Sequence, residues 1–452
     1  MPVLLPHLST VTAIFFSLAI IVCPKSGIAW EENSVKATAK NLPFQWAWSN
    51  DEVAQAGEGF WPQFRGPTGD GISLAKDLPV EWSENKNIAW KTELPGRGWS
   101  SPVIWGDEIW MTTATEDGKR QSVLVVDRRT GKLNRNQLVF ENETAQPDHH
   151  STNSYASPTP VLDAQNAYVH FGAYGTAAIS RKSGEIIWQR RDLPCNHFRG
   201  PGSSPILYGD LLIFHMDGFD HQYIVALNKH TGKTVWNAPR KIEYGTDNGD
   251  FYKAFATPTL IQVGDSVQLI SPTSKATLAL DPATGKELWR VMYEEFSATA
   301  KPLFDGQRLY LNSGFSKARL MAVRPEGTGD VTATHIDWNI DRGIGSKPSQ
   351  LLYKDWIFNV LDSGVASCIR KSDGEVIWQE RLGGDFSALP IMADGKIYLF
   401  DHDGKGYVFA ADDQGKLLAT NQLDSGCMAS PTAVGKCLYV RTRTHIYCLS
   451  QK

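Results

Sequence analysis

Most residues able to bind or transform a ligand lie in a few short segments between β-like runs. The segments QPDHHSTNSY, PCNHFRG and MDGFDHQ bring histidines, carboxylates and amides together. Imidazole and carboxylate groups bind metals, whereas mixed charges beside aromatic rings are typical of a binding surface. The candidate residues of a ligand or partner face are His149, His150, Asn153, Tyr155, His197, Arg199, Asp217, Asp220, His221, Lys347, Asp362 and Asp401.

Three interpretations of this set compete. A single histidine in such a segment is most often a solvated loop residue. A metal site would need the histidines to converge with Asp217 or Asp220 from different segments, and no pair has the spacing of ligands on one element, so we assign no metal ligands. A binding face for an envelope protein, a small ligand or a glycan would use the mixed charges with aromatics such as Trp99 and Phe219. We favour this third interpretation.

Several function classes lack their sequence signals. The chain carries a formal net charge of −4 and has no lysine- or arginine-rich run, which argues against a nucleic-acid partner. It also has no Gly-x-Ser-x-Gly elbow, no Walker loop and no His-Glu-x-x-His run. Hydrolase chemistry therefore has no support from sequence motifs.

The elements that must position these residues are repeated. A Gly-turn phrase, usually ending in Trp, recurs roughly every 40–55 residues, a period typical of propellers and solenoids. The glycine supplies the positive φ of a tight turn, and the large ring fills space between sheets. The clearest copies are VDRRTGK (126–132), SRKSGEIIW (180–188), NKHTGKTVW (228–236), DPATGKELW (281–289) and RKSDGEVIW (370–378).

Each unit reads as four short strands that begin at a Ser-Pro-like entry such as Ser101-Pro102. Counting six such entries and two degenerate ones predicts an all-β, eight-bladed propeller of four-stranded blades. The last unit ends after three strands, and NIAWKTEL (87–94) is an orphan strand that can complete it and close the ring. In a propeller, the loops that carry the candidate residues share one face. The fifth unit departs from the pattern, with a longer insertion before Trp338.

The expected organisation is a signal peptide (1–29), a linker (30–59) and the propeller (60–452). Val11–Val22 is an apolar run of signal-peptide length, followed by small residues up to Ala29, although no Lys or Arg precedes it. Cys23 raises lipidation as an alternative, which the large Val22 before it disfavours. No later stretch is long and apolar enough for a membrane helix. We expect an exported monomer in the periplasm or at the cell surface.

Cys437 and Cys448 flank the predicted hairpin LYVRTRTHIY. With Thr442 and Arg443 as its two-residue turn, the two cysteines would face each other across the strands, within reach of a disulfide. A pair of reduced, buried thiols is the alternative.

The Asp-x-x-Thr-Gly-Lys-x-x-Trp phrase resembles the repeat of pyrroloquinoline quinone (PQQ) proteins from about Trp90 to Lys452. That resemblance implies the propeller fold shared by quinoprotein alcohol and glucose dehydrogenases and by BamB-like assembly factors, which have no known enzymatic activity. WPQFRGPTGDG (61–71), LPCNHFRGPGSSP (193–205) and DSGVASC (362–368) also look like bacterial PQQ-like propeller proteins. One such fold hosts many functions.

The resemblance leaves two functions open. Quinoprotein dehydrogenases of this fold typically carry adjacent cysteines, a Glu/Asn/Asp calcium shell and a catalytic Asp, and this chain has no Cys-Cys pair. PQQ with calcium is thus possible but unsupported by a specific motif; if PQQ bound, Arg199 or Lys347 would pair with its carboxylates and Asp217 or Asp362 would act as base. We favour a non-catalytic binding or assembly module of the cell envelope. A PQQ- and calcium-dependent oxidoreductase acting on alcohols or sugars is the alternative.

Overall fold

The fold is an eight-bladed β-propeller, as the repeats predict. The structure, a computed structural model, describes residues 46–144 and 149–451, so the predicted signal peptide and Asp148 lie outside the described residues. Each blade is a sheet with a core of four antiparallel strands, numbered here from the central channel outwards in chain order.

The elements follow the chain in order. Ahead of the first complete blade lie helix α1 (Asn50–Ala56) and strands β1 (Phe60–Trp61), β2 (Ile72–Ser73) and β3 (Ile88–Glu93). Blades 1 and 2 contain β4 (Val103–Trp105), β5 (Glu108–Ala114), β6 (Arg120–Asp127), β7 (Leu133–Glu141), β8 (Val161–Leu162), β9 (Asn166–His170), β10 (Thr176–Ser180) and β11 (Ile186–Arg190). Blades 3 and 4 contain β12 (Ile206–Tyr208), β13 (Leu211–Asp217), β14 (Gln222–Asn228), β15 (Thr234–Pro239), β16 (Thr259–Val263), β17 (Ser266–Thr273), β18 (Ala276–Leu280) and β19 (Glu287–Met292).

The second half continues the same arrangement. Blades 5 and 6 contain β20 (Leu303–Phe304), β21 (Leu309–Asn312), β22 (Leu320–Val323), β24 (Ile336–Ile340), β25 (Leu351–Tyr353), β26 (Trp356–Val360), β27 (Val365–Arg370) and β28 (Val376–Arg381), with β23 (Gly329–Asp330) inside the blade 5 insertion. Blades 7 and 8 contain β29 (Ile391–Ala393), β30 (Lys396–Phe400), β31 (Lys405–Ala410), β32 (Leu417–Gln422), β33 (Thr432–Val434), β34 (Cys437–Arg441) and β35 (His445–Leu449).

The orphan strand closes the ring, which confirms the prediction. Strand β3 pairs antiparallel with β35 and becomes the outermost strand of blade 8. The blade 8 hairpin differs by one residue from the expected turn. Its turn falls at Arg443 and Thr444, so Cys448 pairs with Tyr439 rather than with Cys437. All five cysteines within the described ranges are unbridged.

The Gly and Trp of the repeat hold neighbouring blades together. The Trp188 indole of blade 2 donates a 2.8 Å hydrogen bond to the Lys229 carbonyl in the blade 3 turn, and the same ring lies against Gly232. A Cβ on Gly232 would come within 2.7 Å of that ring. The same Trp-to-Gly contact joins Trp90 to Gly131, Trp236 to Gly285, Trp338 to Gly374, and Trp378 to Gly415. The prediction that these rings pack between blades is confirmed.

Blade 5 lacks this turn and uses its insertion instead. Strand β23, within that insertion, pairs in parallel with β19 of blade 4. The blade 4 ring, Trp289, is fully buried and donates a 2.9 Å hydrogen bond to Gln268 of its own sheet. The insertion therefore replaces the missing Trp-to-Gly contact between blades 4 and 5.

The Gly- and Pro-rich segment 60–73 crosses one end of the central channel. We call this segment the plug and this end the lower end. It reaches the ends of the inner strands farthest from the Ser-Pro-like entries. Hydrogen bonds tie it to six blades: β1 to β4, Pro62 to Leu162, Gly69 to Lys301, Arg65 to Gln350, Gly71 to Met392, and Ser73 to Ala433.

The described part of the expected linker, 46–59, is packed onto the propeller. Helix α1 begins with a capping box at Ser49, and the Trp48 indole donates a 2.7 Å hydrogen bond to the Leu162 carbonyl of blade 2. Trp48 is 2% exposed, so this stretch contributes to the core instead of forming a free tether. Across the described ranges no helix has the length and apolarity to cross a membrane.

Candidate functional site

The channel opens at the other end, which we call the upper face, into a cavity of about 650 Å³. The loops that connect one blade to the next surround it, together with the loop between the second and third strands of some blades. Phe64 of the plug contributes to the lining, so the cavity is a well closed from below. Its volume lies in the range of small-molecule sites.

The entries into the inner strands form the lower wall of this cavity. At five of the entries a Ser or Thr hydroxyl accepts a hydrogen bond from the backbone N–H of the entry before it. Such bonds of 2.8–3.0 Å run from Ser101 to Thr159, Thr159 to Ser204, Ser204 to Thr257, Lys301 to Ser349, and Leu389 to Ser430. The Ser-Pro-like entries are thus structural, and they make the wall polar and rigid.

One side of the rim carries paired charges. The Arg199 guanidinium donates two hydrogen bonds to the Asp250 carboxylate, at 3.2 and 3.1 Å. Lys347 Nζ lies 3.5 Å from Asp362, whose oxygens also accept the backbone N–H groups of Ser346 and Lys347. Both cations are therefore partly neutralised by these carboxylates.

His150 lies between these two pairs and is exposed. Its partial burial and the positive charges of Arg199 and Lys347 lower its pKa from the ordinary value. The imidazole is consequently neutral at physiological pH and is available as a hydrogen-bonding group.

A third cation, Lys253, lies deeper in the wall and is 1% exposed. Its Nζ is 3.3 Å from His197 Nδ1 and 3.5 Å from the Gly200 carbonyl. Burial lowers the pKa of Lys253 to about 8 and lowers that of His197 well below its ordinary value. His197 is thus a neutral acceptor for the lysine.

Another part of the rim is aromatic. The rings of Phe251 and Phe296 have centroids 4.4 Å apart, and those of Phe296 and Phe315 are 5.8 Å apart. Phe315 is 55% exposed, which is unusual for so large an apolar side chain. These rings come from the loops of blades 4 and 5, beside the loops that carry the cations, so the cavity offers cations next to stacked rings, a combination suited to an amphipathic ligand.

The structure brings only part of the predicted face to the cavity. The candidates that line it are His150, Asn153, Arg199, Lys347 and Asp362. His149 and Tyr155 pack ring against ring at 4.7 Å behind the rim, and His197 lies behind the wall against Lys253. These three support the lining without forming it.

Four candidates lie elsewhere. Asp217, the last residue of β13, is fully buried in an ion pair with Arg240. Asp401 is buried in the turn between β30 and β31, where it accepts the backbone N–H groups of Asp403 and Lys405. Asp220 and His221 are exposed, and Asp220 accepts the backbone N–H groups of Asn196 and His221 as a turn residue. These four do not line the cavity, and their part in a partner face stays a prediction.

Sequence reasoning missed the residues contributed by the loops before blades 4 and 5. Lys253, Asp250 and Phe251 come from DFYKAF, directly before the Thr257-Pro258 entry, and Phe296 and Phe315 come from the next loops. A lysine flanked by aromatic residues just ahead of a strand entry was the available signal.

The donor groups of the cavity do not suit a calcium ion. Calcium takes six to eight oxygen ligands. The two cavity carboxylates, Asp250 and Asp362, are each committed to a cation. Within residues 46–144 and 149–451, no three His, Cys, Asp or Glu side chains are grouped as metal ligands. The carboxylates of PQQ would find cations here, but its calcium would not find a shell among the described groups.

Comparisons with known proteins agree on the fold and divide on function. A family model described as outer membrane protein assembly factor BamB matches residues 47–191, 136–331 and 220–452. A quinoprotein ethanol dehydrogenase of Pseudomonas aeruginosa is 30% identical over 190 residues, which is 37% of this chain and 26% of that protein. The chain thus spans about a quarter of the curated relative it matches.

Two solved structures represent the same division. BamB from Moraxella catarrhalis superposes with a TM-score of 0.56 at 14% identity, covering 80% of this chain and 99% of that one. Quinohemoprotein alcohol dehydrogenase from Comamonas testosteroni superposes with a TM-score of 0.60 at 11% identity, covering 93% and 85%. Such low identities establish a shared fold and nothing about activity.

Proposed function

The chain belongs to the PQQ-repeat propeller family described as outer membrane protein assembly factor BamB, and we propose that it is an exported, non-catalytic binding module of the cell envelope. The observation that carries the proposal is the closed well on the upper face, which is lined by cations and by a row of aromatic rings. A rigid ring that presents such a well is suited to holding a ligand or partner group.

The charges of the well favour binding over oxidation chemistry. A dehydrogenase needs a base free to accept a proton from its substrate. The two carboxylates in the well are engaged by Arg199 and Lys347, and His197 is held as an acceptor for a buried lysine. In this arrangement these side chains are suited to binding a charged ligand and not to accepting a proton from it. Of the titratable lining groups described above, this leaves the exposed His150 to accept a proton.

Site-specific photo-crosslinking tests the binding role. A benzoylphenylalanine at Phe315, on the aromatic rim, is expected to form a discrete adduct in cells that express the full chain. The same probe at Leu417, exposed on the outer strand of blade 7, is the matched control and should form none. Identical adduct patterns at both positions would contradict binding through the well. N-terminal sequencing of the mature protein tests export, with Trp30 as the expected first residue.

A quinoprotein oxidoreductase is the second candidate, favoured by the identity with the ethanol dehydrogenase. Fluorescence titration of the purified protein with PQQ, with and without calcium, separates the two functions. Stoichiometric, calcium-dependent binding together with dye-linked alcohol oxidation would overturn the binding-module proposal. Binding without calcium dependence or oxidation would be consistent with a well that accepts aromatic anions.

A further inference from the structure

Lys253 is placed on the cavity wall by a short, well-anchored connection. The segment between blades 3 and 4 includes a 3₁₀ helix at Gly249–Phe251, capped by the Asn248 side chain. Two residues after this helix, Lys253 runs along the wall, and its Nζ lies 4.8 Å from the centroid of the Phe255 ring. Its side chain is therefore fixed by packing and is not a free rim lysine.

The environment of Lys253 leaves its charge without a counter-ion. Arg199 and Lys347 each have a carboxylate within 4.0 Å, whereas no ion pair involves Lys253 in the described part of the chain. Its contacts are the neutral His197 ring and a backbone carbonyl. Burying an ammonium without a counter-ion costs free energy, so an anion that reaches Lys253 from the cavity would gain binding free energy from pairing with it.

The charged and titratable groups that act on Lys253 lie on three loops. Cys195 and His197 face it from the loop before blade 3, Asp217 and Asp220 from within blade 3, and Asp250 from its own loop. The acidic groups raise the pKa of Lys253, but burial outweighs them and brings it to about 8. A carboxylate at contact distance would add an attraction that none of these groups provides.

The aromatic side of the well indicates what else the ligand carries. The rings of Phe251, Phe296 and Phe315 form a continuous row that ends in an exposed ring. Aromatic rings pack against such a row in offset or edge-to-face geometry. A ligand with a flat ring would cover the row and turn its polar end towards Lys253, which follows Phe251 by two residues in the same loop.

We propose that Lys253 binds the carboxylate of a small aromatic acid whose ring packs along Phe251, Phe296 and Phe315. The inference rests on the proposed binding function and names the chemical class of the ligand. A monoanion fits better than a phosphate dianion because one ammonium is uncompensated and the two rim cations already have partners.

Isothermal titration with 3-phenylpropionate and its uncharged match, 3-phenylpropanol, tests the proposal on the mature full chain. The acid is expected to bind at least about tenfold more tightly than the alcohol at pH 7. Lys253→Met should remove this preference while the protein retains its circular dichroism spectrum. Lys371→Met, which removes a lysine that pairs with Asp305 and does not line the well, is the control and should keep the preference.

Proton uptake gives a second, independent readout. At pH 9 part of the Lys253 population is neutral, so carboxylate binding should draw a proton onto the wild-type protein. Titrations in buffers of different ionisation enthalpy should detect this uptake in the wild type at pH 9 and none at pH 6.5. Should Lys253→Met fail to fold, this wild-type measurement still tests the proposal, because the absence of proton uptake at pH 9 would contradict binding at Lys253.

The outcomes separate this inference from the proposed function. Equal affinity for the acid and the alcohol, or a preference that survives Lys253→Met, would overturn the role of Lys253. Crosslinking at Phe315 would then still support a binding module with another ligand. PQQ-dependent oxidation would instead overturn the binding module, whatever phenylpropionate does.

Discussion

The buried pair of Asp217 and Arg240 offers a quantitative test of how the upper part of blade 3 is held together. Arg240 Nε and Nη2 donate hydrogen bonds of 2.8 and 2.7 Å to the two Asp217 oxygens, and both side chains are at most 1% exposed. Arg240 also donates to Ser271 Oγ of blade 4, which lies 2.8 Å from His215 Nε2. The pair therefore joins two blades.

Replacing one partner should be far worse than replacing both. Arg240→Met leaves a carboxylate buried without a counter-ion, and breaking such a pair costs about 3–5 kcal/mol. In the double variant Asp217→Leu, Arg240→Met no charge is buried, so its free energy of unfolding should return to near the wild-type value or exceed it by about 1–4 kcal/mol.

Equilibrium unfolding in urea at fixed pH measures these differences, with coincident fluorescence and circular dichroism transitions as the check for two-state behaviour. Arg308→Met is the matched control, since it breaks the more exposed 2.6 Å pair with Asp337 and should cost about 0–1 kcal/mol. If Arg240→Met lowered the free energy of unfolding no more than this control, or if the double variant were no more stable than Arg240→Met, the stabilising role of the buried ion pair between the blades would be refuted.

Three further predictions follow from other features. Lys253→Met should stabilise the ligand-free protein at pH 7, because the folded-state pKa of Lys253, about 8, lies below the ordinary 10.5. The buried charge lowers the free energy of unfolding of the wild type by about 3 kcal/mol below pH 8, and this loss disappears as the pH rises to about 10.5. The free energies of unfolding of wild type and variant should therefore converge at high pH. Gly232→Ala should destabilise by more than Gly209→Ala in thermal melts, since both have positive φ but only Gly232 faces a ring at 2.7 Å. Trp61→Ala should cost about 3–5 kcal/mol in urea unfolding because this 2%-exposed ring anchors the plug, whereas Phe315→Ala on the exposed rim should cost little.

Each of these has a contrary result. A wild-type stability that falls between pH 8 and 10 in parallel with the variant would contradict a buried, uncompensated Lys253. Equal losses for the two glycine variants would mean that backbone conformation, and not the contact with Trp188, sets the cost. A Trp61→Ala loss as small as that of Phe315→Ala would mean that the plug is only loosely attached.

The blades could be predicted because the repeat combines a local and a non-local requirement. Gly232 must adopt a positive φ for its turn and must also leave room for Trp188 of the previous blade. Both requirements favour glycine, so a glycine is present at this turn in most units and the repeat can be recognised from the sequence. Ring closure was equally accessible, because an unpaired strand before the first blade and a three-stranded last blade have one obvious solution.

For the candidate site, the sequence indicated which face of the propeller carries it but not which residues line the cavity. Asp217 resembles a loop carboxylate in the sequence, and its partner Arg240 lies on the far side of two strands, so nothing local reveals the buried pair. Lys253 was missed for the opposite reason, since its proposed role depends on its having no carboxylate at ion-pair distance among the described residues, which the packing of neighbouring loops decides. Spacing along the chain carries neither piece of information.

The order of the elements along the chain constrains how the protein is made. The closing strand β3 and the plug leave the ribosome before any complete blade, yet their partners in blades 7 and 8 are synthesised last. Until then the nascent chain carries an unsatisfied edge and several large exposed rings, the kind of surface that invites aggregation during biogenesis. A chaperone that holds this early stretch would act throughout translation, and interrupted synthesis would release a horseshoe of blades instead of a ring.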